Sequence, residues 1–160
     1  MLKFTKPDGT RVRSEFSSLA EMDEAIVDRW NAVVRDQDLV YHLGDVTFRY
    51  DGYFNNIISR LRGRKRLIIG NHDKINNPNL LRHFERAEIW HVFRDHGFTC
   101  SHIPLRLDDS RTGLVNVHGH THAVCLDDPR YLNICVEQTA YSPVSLDWVL
   151  TEIKQRGLNG

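Results

Sequence analysis

The sequence predicts an α/β fold with more than one sheet, or with one mixed sheet, from two observations. Strand-like runs alternate with helical patterns in the first half of the chain, and short strand-like runs dominate the second half. The chain has 160 residues, of which 41% are hydrophobic and 26% are charged, as is ordinary for one globular domain. We therefore treat residues 1–160 as a single domain.

Four segments carry helical signals. Ser18-Leu19-Ala20-Glu21 has the form of a capping box and predicts a helix that runs to about Val34. Pro78 can open a short helix through Arg86, and Ser145 can cap a final helix through Gln155. The apolar stripe predicted for the first helix consists of Leu19, Met22, Ile26, Trp30 and Val33. The remaining helix is expected over Tyr53–Leu61, with Ile57, Ile58 and Leu61 facing inward.

Short apolar runs rich in β-branched and aromatic residues predict the strands. Asp95-His96-Gly97 reads as a hairpin turn between two of them, and residues 1–16 are expected to be irregular, with a turn at Pro7-Asp8-Gly9. Asp108-Asp109-Ser110 predicts a loop. The predicted strands are Asp38–Leu43, Arg66–Ile69, Ile89–Phe93, Phe98–Ser101, Leu114–Val117 and Tyr131–Val136.

Four of these runs have side chains capable of binding metals just past their carboxyl ends. The groups that follow them are Gly44-Asp45, Gly70-Asn71-His72-Asp73, Ser101-His102 and Gly119-His120-Thr121-His122. In α/β sheets, ligands bind outside the carboxyl ends of the strands, and neutral imidazole is a common metal ligand. Any one of these segments is equally well explained as an ordinary turn, because Gly, Asn and Asp favour turns. Four in series, with the histidines among them, predict one shared metal site.

Composition narrows the possible functions. The formal net charge is zero, which argues against an overall polyanion-binding surface. No apolar run approaches the roughly 20 residues that span a membrane, and the three cysteines suggest neither a disulfide framework nor a zinc ribbon. A reducing, cytoplasmic location without a membrane partner is therefore expected. The basic segment Arg62–Arg66 fits a solvated helix-to-strand turn better than a phosphate-binding patch.

The four metal-capable segments, in this order, resemble the motifs of the calcineurin-like metallophosphoesterases. The residues around them, such as Tyr41-His42-Leu43 and Ile103-Pro104, are similar to those of the small bacterial and phage members. The resemblance runs from the first helix almost to the C-terminus. It implies a β-sandwich of two mixed sheets flanked by helices, and an enzyme that hydrolyses phosphodiesters or phosphomonoesters through a metal-bound hydroxide.

The resemblance also implies a role for each matching residue. Asp45 would bridge two divalent metals, and His122 would bind the first. His72 would contact phosphate and protonate the leaving group, and Asp73 would orient His72. Mn²⁺ is the expected ion, with Fe, Ni and Zn as alternatives, because imidazole and carboxylate donors suit all of them. The remaining protein ligands of the second metal would be Asn71, His102 and His120.

One departure from the family pattern stands out. The family opens with a strand that carries Asp-x-His and supplies two ligands to the first metal, but no Asp-x-His occurs in this chain. Met1-Leu2-Lys3-Phe4 resembles the segment just after that motif, so we expect an N-terminally truncated domain whose first strand is missing. A natural variant is the alternative. Either way, the prediction is one well-held metal and one weak or empty site.

Two other functions stay open. The second hypothesis, after the phosphoesterase, is a degenerate, inactive family member that binds one metal or phosphate as an interaction module, and the missing Asp-x-His favours it. A nucleic-acid-binding protein is the third hypothesis, against which stand the zero net charge and the lack of an aromatic platform. The substrate would be a phosphate ester, with nucleotides and nucleic acids included. Candidate phosphate contacts are Arg49, Arg106 and Arg111, although surface solvation is the preferred interpretation of each.

Overall fold

A computed structural model describes Thr5, residues 9–107 and residues 115–158 of the chain. Within these residues, helices alternate with strands in the first half and strands dominate the second, as expected, which confirms the α/β class. The helices are α1 (Leu19–Val33), α2 (Gly52–Ser59), α3 (Pro78–Leu81) and α4 (Leu146–Gln155). The strands are β1 (Leu39–His42), β2 (Arg64–Ile68), β3 (Arg86–Glu88), β4 (Trp90–Phe93), β5 (Phe98–Ser101), β6 (Val115–His118) and β7 (Tyr131–Asn133).

The strands form two sheets. The first has the order β1-β2-β3 and is parallel, with Leu39 opposite Arg64 and Arg66 opposite Arg86. The second has the order β4-β5-β6-β7 and is mixed, because β4 is antiparallel to β5 while the other pairs are parallel. The family resemblance implied two mixed sheets. That expectation is wrong for the three described strands of the first sheet, which are parallel because helix-containing crossovers connect them.

The two sheets pack on each other through a shared apolar core. Ile68 of the first sheet belongs to one buried cluster with apolar residues of the second sheet, and the Tyr41 ring lies 5.0 Å from that of Phe93. Alternate residues of a strand face opposite sides, so Leu67 points the other way and packs against α2 and α3. The main buried members of the shared core are Ile68, Phe98, Cys100, Val115, Val117, Leu132, Val149 and Ile153.

The helix starts are predicted better than the buried faces. Ser18 caps α1 by accepting from the Glu21 N–H at 3.1 Å, and Ser145 caps α4 by accepting from the Trp148 N–H at 3.1 Å. The predicted stripe of α1 is correct for Met22 and Trp30. It is wrong for Leu19 and Val33, which are 50% and 54% exposed. Val27 and Val34 are buried instead, because the face that meets the body is rotated relative to the predicted stripe.

The segment after α3 was predicted incorrectly. A helix was expected from Pro78 to Arg86, but α3 ends at Leu81 and β3 begins at Arg86. Local propensity did not reveal β3, because its strand conformation depends on pairing with the distant β2. The hairpin at Asp95-His96-Gly97 is confirmed, with Gly97 in the left-handed conformation at φ 68°.

Some predictions concern residues outside the described part of the chain. These are the resemblance of residues 1–4, the turn at Pro7-Asp8, the loop at Asp108-Asp109-Ser110, the strand start at Leu114 and the phosphate contact at Arg111. Within the described residues, no helix combines the length and apolar character required to span a bilayer.

Candidate metal centre

The carboxyl ends of four strands meet at one place, where glycines let the backbones approach closely. Gly44 follows β1 and has φ 87°, and a Cβ added to it would lie 2.5 Å from the backbone nitrogen of Gly70. A Cβ added to Gly70 would lie 2.3 Å from both the backbone nitrogen and Oδ1 of Asp45. Real Cβ atoms do not come so close, so the contact between the turns after β1 and β2 requires glycine at both positions.

Asp45, His102 and His120 form the one group of three acidic, histidine or cysteine side chains among the described residues that could bind a metal ion. One ligand atom of each lies within 4.8 Å of the others. His102 Nε2 is 3.4 Å from Asp45 Oδ2 and 3.2 Å from His120 Nδ1. The amide oxygen of Asn71 adds a fourth donor, 3.0 Å from the same Nε2. The four ligands predicted for the second metal are therefore brought together.

The hydrogen bonding of His102 fixes which atom it offers. Its Nδ1 lies 2.6 Å from the carbonyl oxygen of Leu43, which can only accept, so Nδ1 carries a proton. In the neutral ring, Nε2 then carries a lone pair, which faces the oxygens of Asp45 and Asn71. Such lone pairs repel one another unless a cation or a proton lies among them. The donor set fits a divalent ion, because carboxylate, amide and imidazole donors are mixed in many such sites.

The environment of His120 favours its neutral, metal-binding form. Burial lowers the pKa of His120, and the neighbouring His102 lowers it further, against the opposing effect of Asp45. A ring with a depressed pKa is unprotonated at neutral pH and keeps a lone pair for a cation. His102 itself is 4% exposed. Its Nδ1–H bond to Leu43 follows the usual pattern in which the second nitrogen of a ligand histidine is held by an acceptor.

Asp73 has a different role from the one implied by the family resemblance, which was to orient His72. Its Oδ2 accepts from the backbone N–H groups of Asp45 at 2.9 Å and Gly70 at 2.8 Å, and its Oδ1 accepts from Val46 at 2.9 Å. No hydrogen bond joins the two side chains in the part of the chain that the structure describes. The reason is geometric: the carboxylate lies between two turns whose N–H groups have no strand partner. Asp73 therefore ties the Gly44-Asp45 turn to the Gly70-Asn71 turn.

His72 lies beside the metal-capable group with its ring exposed to solvent. Its backbone N–H donates to Asp45 Oδ1 at 2.9 Å, so the other carboxylate oxygen is left for the metal position. The imidazole lies against the ring of Phe48, which is 61% exposed, with the ring centroids 4.9 Å apart and the ring planes tilted by 55°. This placement leaves the His72 ring accessible to a molecule that binds at the site.

His122 lies outside the group that Asp45, His102 and His120 form. Its Nδ1 is 3.1 Å from Oε1 of Glu137, and that oxygen also accepts from Arg13 at 3.0 Å. Glu137 was not predicted as a functional residue, since no sequence motif surrounds it. Burial raises its pKa, but the charges and hydrogen bonds of Arg13, together with His122, outweigh burial and leave the pKa below the usual value.

Of the predicted arginine contacts, one is engaged within the fold and one is exposed to solvent. Arg49 is paired with Asp51 at 2.6 Å, while Arg106 is exposed. In the basic segment, Arg64 pairs with Glu85 at 2.6 Å, and Lys65 Nζ donates to the carbonyl oxygens of Leu61 and Gly63. Arg64 and Lys65 lie in β2 and not in a turn, and these contacts favour a structural role for the basic segment over a phosphate-binding one.

Comparison with known proteins places the chain among relatives. No protein-family model matches it. It is 33% identical over 153 residues to "Uncharacterized protein MJ1445" of Methanocaldococcus jannaschii, with 88% of this chain and 80% of that protein covered. It is also 28% identical over 146 residues to "Gene 66 protein" of Mycobacterium phage L5, with 70% of each covered.

A solved structure supports the fold. The crystal structure of the protein of unknown function AQ665 from Aquifex aeolicus superposes with a TM-score of 0.65 at 23% identity, and 82% of this chain and 85% of that chain are covered. At this identity the similarity concerns the fold alone. The identity to the archaeal relative and the coverage of both chains are high enough to show a family relationship. The chain belongs to the family of the Methanocaldococcus jannaschii protein MJ1445.

Proposed function

We propose that the protein is a metal-dependent phosphoesterase. The observation that carries the proposal is the convergence of Asp45, Asn71, His102 and His120 on one position beside the exposed ring of His72. Two nitrogen and two oxygen donors match the ligand set that the resemblance to calcineurin-like phosphoesterases implies. A bound divalent ion would supply Lewis-acid charge for phosphate oxygens and would lower the pKa of a water molecule.

The side chains around the site have separate roles in this proposal. Asp45 supplies Oδ2 as a ligand and uses Oδ1 to hold the backbone of His72. The His72 imidazole, when protonated, would donate to the leaving oxygen of the substrate. A positioned general acid of this kind accelerates a reaction by roughly 10²–10⁴-fold. Mn²⁺ is the proposed ion, with Fe, Ni and Zn as alternatives, because the donors accept each of them.

The experiment measures hydrolysis of bis(p-nitrophenyl) phosphate and p-nitrophenyl phosphate by the Mn²⁺-loaded chain. We expect turnover that EDTA abolishes, that Asp45→Asn reduces to background, and that His72→Gln reduces by roughly 10²–10⁴-fold. His96→Gln is the matched control, because His96 lies just before β5, at the end opposite to His102, and its activity should equal that of the native chain. Turnover that is unchanged in Asp45→Asn would contradict the proposal.

A second candidate is an inactive family member that binds one metal or phosphate as an interaction module. It is favoured by the position of His122, which pairs with Glu137 and leaves the metal-capable group with four donors. The same assay separates the two functions. A chain that binds one Mn²⁺ and hydrolyses neither ester, at metal and substrate saturation, would support the module and contradict the enzyme.

The proposed substrate is a phosphate ester, and nucleotides and nucleic acids are included in this class. A protein that binds nucleic acid without hydrolysing it has less support, because Arg64 and Lys65 of the basic segment have partners within the fold. Binding of single-stranded DNA by the metal-free chain, with a steep dependence on salt, would instead support the binding protein.

A further inference from the structure

Phe48 is an exposed aromatic residue beside His72 that the proposed reaction does not use. Of the Phe, Tyr and Trp side chains that the structure describes, it is the most exposed, at 61%. Its ring centroid lies 4.9 Å from that of His72. We infer that Phe48 determines specificity at the proposed site by stacking on the base of a leaving nucleoside, so that nucleotide esters are the preferred substrates. This inference rests on the proposed function, in which His72 protonates the leaving oxygen.

The turn that carries Phe48 is held on both sides of the residue. Thr47 Oγ1 accepts from the backbone N–H of Arg49 at 3.0 Å and donates to the carbonyl oxygen of Arg49 at 2.9 Å. The Arg49 guanidinium pairs with Asp51 at 2.6 Å and lies 4.9 Å from the ring centroid of Tyr53. Because the neighbours of Phe48 are already fixed, little further conformational entropy is lost when a ligand contacts its ring.

Tyr50 joins this turn to the segment that carries His72. Its phenol oxygen accepts from the backbone N–H of Lys74 at 2.9 Å and lies 3.4 Å from the carbonyl oxygen of His72. The backbone N–H of His72 in turn donates to Asp45 Oδ1 at 2.9 Å. These contacts fix the position of Phe48 relative to the proposed general acid and to a proposed metal ligand.

The geometry favours a nucleobase as the occupant. Because His72 contacts the leaving oxygen in the proposed reaction, the group attached to that oxygen lies next to Phe48. In a nucleoside, the sugar separates the base from this oxygen by a span comparable with the 4.9 Å between the two ring centroids. Every base has a flat π-face that can stack on an aromatic ring. Arg64 and Lys65 have partners within the fold, so one stacked base is expected to hold the leaving group, without a charged track along a strand.

Isolated exposed apolar residues are common on protein surfaces and need no function. Phe48 differs from such a residue in two ways. Its ring lies against the proposed general acid, and hydrogen bonds between its two neighbours hold its backbone. The test therefore compares Phe48 with another exposed apolar residue that lies away from His72.

The first test measures, by calorimetry, the binding of two phosphonates that cannot be hydrolysed to the Mn²⁺-loaded chain. One is the phosphonate of thymidine, and in the other a hydrogen atom replaces the base. The native chain should bind the thymidine compound about 5–150-fold more tightly, which is the range for the stacking of one base on an aromatic residue. Phe48→Ala should lose this preference and keep its affinity for the base-free compound. Phe48→Tyr, which retains an aromatic ring, should keep the preference.

Val33→Ala is the matched control, because Val33 is 54% exposed at the end of α1 and its loss should leave the preference unchanged. The next residue, Val34, meets Gly63 before β2, away from the carboxyl ends of the strands. Equal affinities of the native chain for the two phosphonates would overturn the inference. A preference that survives Phe48→Ala, or a native chain that binds neither compound, would also overturn it.

The second test measures the hydrolysis of thymidine monophosphate and of the thymidine dinucleotide, each beside its base-free analogue. In Phe48→Ala, kcat/KM should fall by the same factor for the substrates with bases and stay unchanged for the analogues. An equal loss for both would overturn the stacking role. Hydrolysis of the p-nitrophenyl esters by a chain that binds both phosphonates equally would keep the proposed function and overturn the role of Phe48. A base preference in a chain that hydrolyses no ester would contradict the proposed function and support the stacking role.

Discussion

Replacing Asp73 by asparagine tests whether this carboxylate joins the two turns that carry the ligands. The native side chain accepts three backbone N–H groups, two on Oδ2 and one on Oδ1, at 2.8–2.9 Å. Asparagine has one acceptor oxygen, so it can keep the pair from Asp45 and Gly70, and its NH₂ group then faces the N–H of Val46. The substitution removes one charge-assisted bond and makes two others neutral.

The magnitude follows from these three bonds. A hydrogen bond to a charged group contributes about 1.5–3 kcal/mol, and a neutral one about 0.5–1.5 kcal/mol. One bond lost and two weakened give an expected decrease of about 2–4 kcal/mol in the free energy of unfolding, because Asp73 is half-buried and water can replace part of the loss. Mn²⁺ affinity should also fall about 10–100-fold, since the side chain supports two ligand-bearing turns.

The assay is urea unfolding of the metal-free chain, followed by a Mn²⁺ titration of the folded variant. Asp36→Asn is the matched control, because the Asp36 side chain is 90% exposed and its substitution should change stability by less than about 0.5 kcal/mol. A loss of less than about 1 kcal/mol in Asp73→Asn, which is below the range for one such bond, together with native Mn²⁺ affinity would contradict the joining role of Asp73.

Three further predictions follow from other features. Gly70→Ala should abolish Mn²⁺ binding and destabilise the fold by more than about 1–3 kcal/mol, because its Cβ would lie 2.3 Å from Asp45; Gly52→Ala, at a position open to solvent, should leave binding unchanged in the same titration. Burial raises the pKa of the Cys100 thiol to about 12. At pH 8 a thiol reagent should therefore react rapidly at exposed Cys125 and not at Cys100. Cys125→Ser should remove the fast phase of this reaction. Mn²⁺ at 100 times its dissociation constant should raise the free energy of unfolding by about 2.7 kcal/mol, and a melting temperature indifferent to Mn²⁺ and EDTA would contradict a folded-state metal site.

The sequence predicts which residues form the metal-capable group, because each of them closely follows a strand-like run. Gly44-Asp45 and Gly70-Asn71 are local patterns, and a strand end places its next residues at the edge of the sheet. His102 and His120 are found in the same way. Predicting the group does not require the strand pairing to be known. Four carboxyl ends on two packed sheets are sufficient to bring these side chains together.

The residues that support the ligands could not be predicted, because their contacts join distant parts of the chain. Arg13 and Glu137 are 124 positions apart and meet only in the folded structure. The family resemblance assigned Asp73 to His72, whereas the hydrogen bonds of Asp73 reach the turn after β1. The prediction that α1 buries Leu19 is wrong for a related reason. The packing of a helix on its neighbours decides which edge of its apolar stripe is covered.

The central claim is that Asp45, Asn71, His102 and His120 hold a divalent ion. The most direct measurement is the number of Mn²⁺ ions retained per folded chain after free ion is removed, in the native protein and in Asp45→Asn. We expect at least one retained ion in the native chain. We also expect a loss of that ion in the variant, whose amide keeps the size of the side chain but removes its charge. A native chain that retains no Mn²⁺, or a variant that retains as much as the native chain, would contradict this claim.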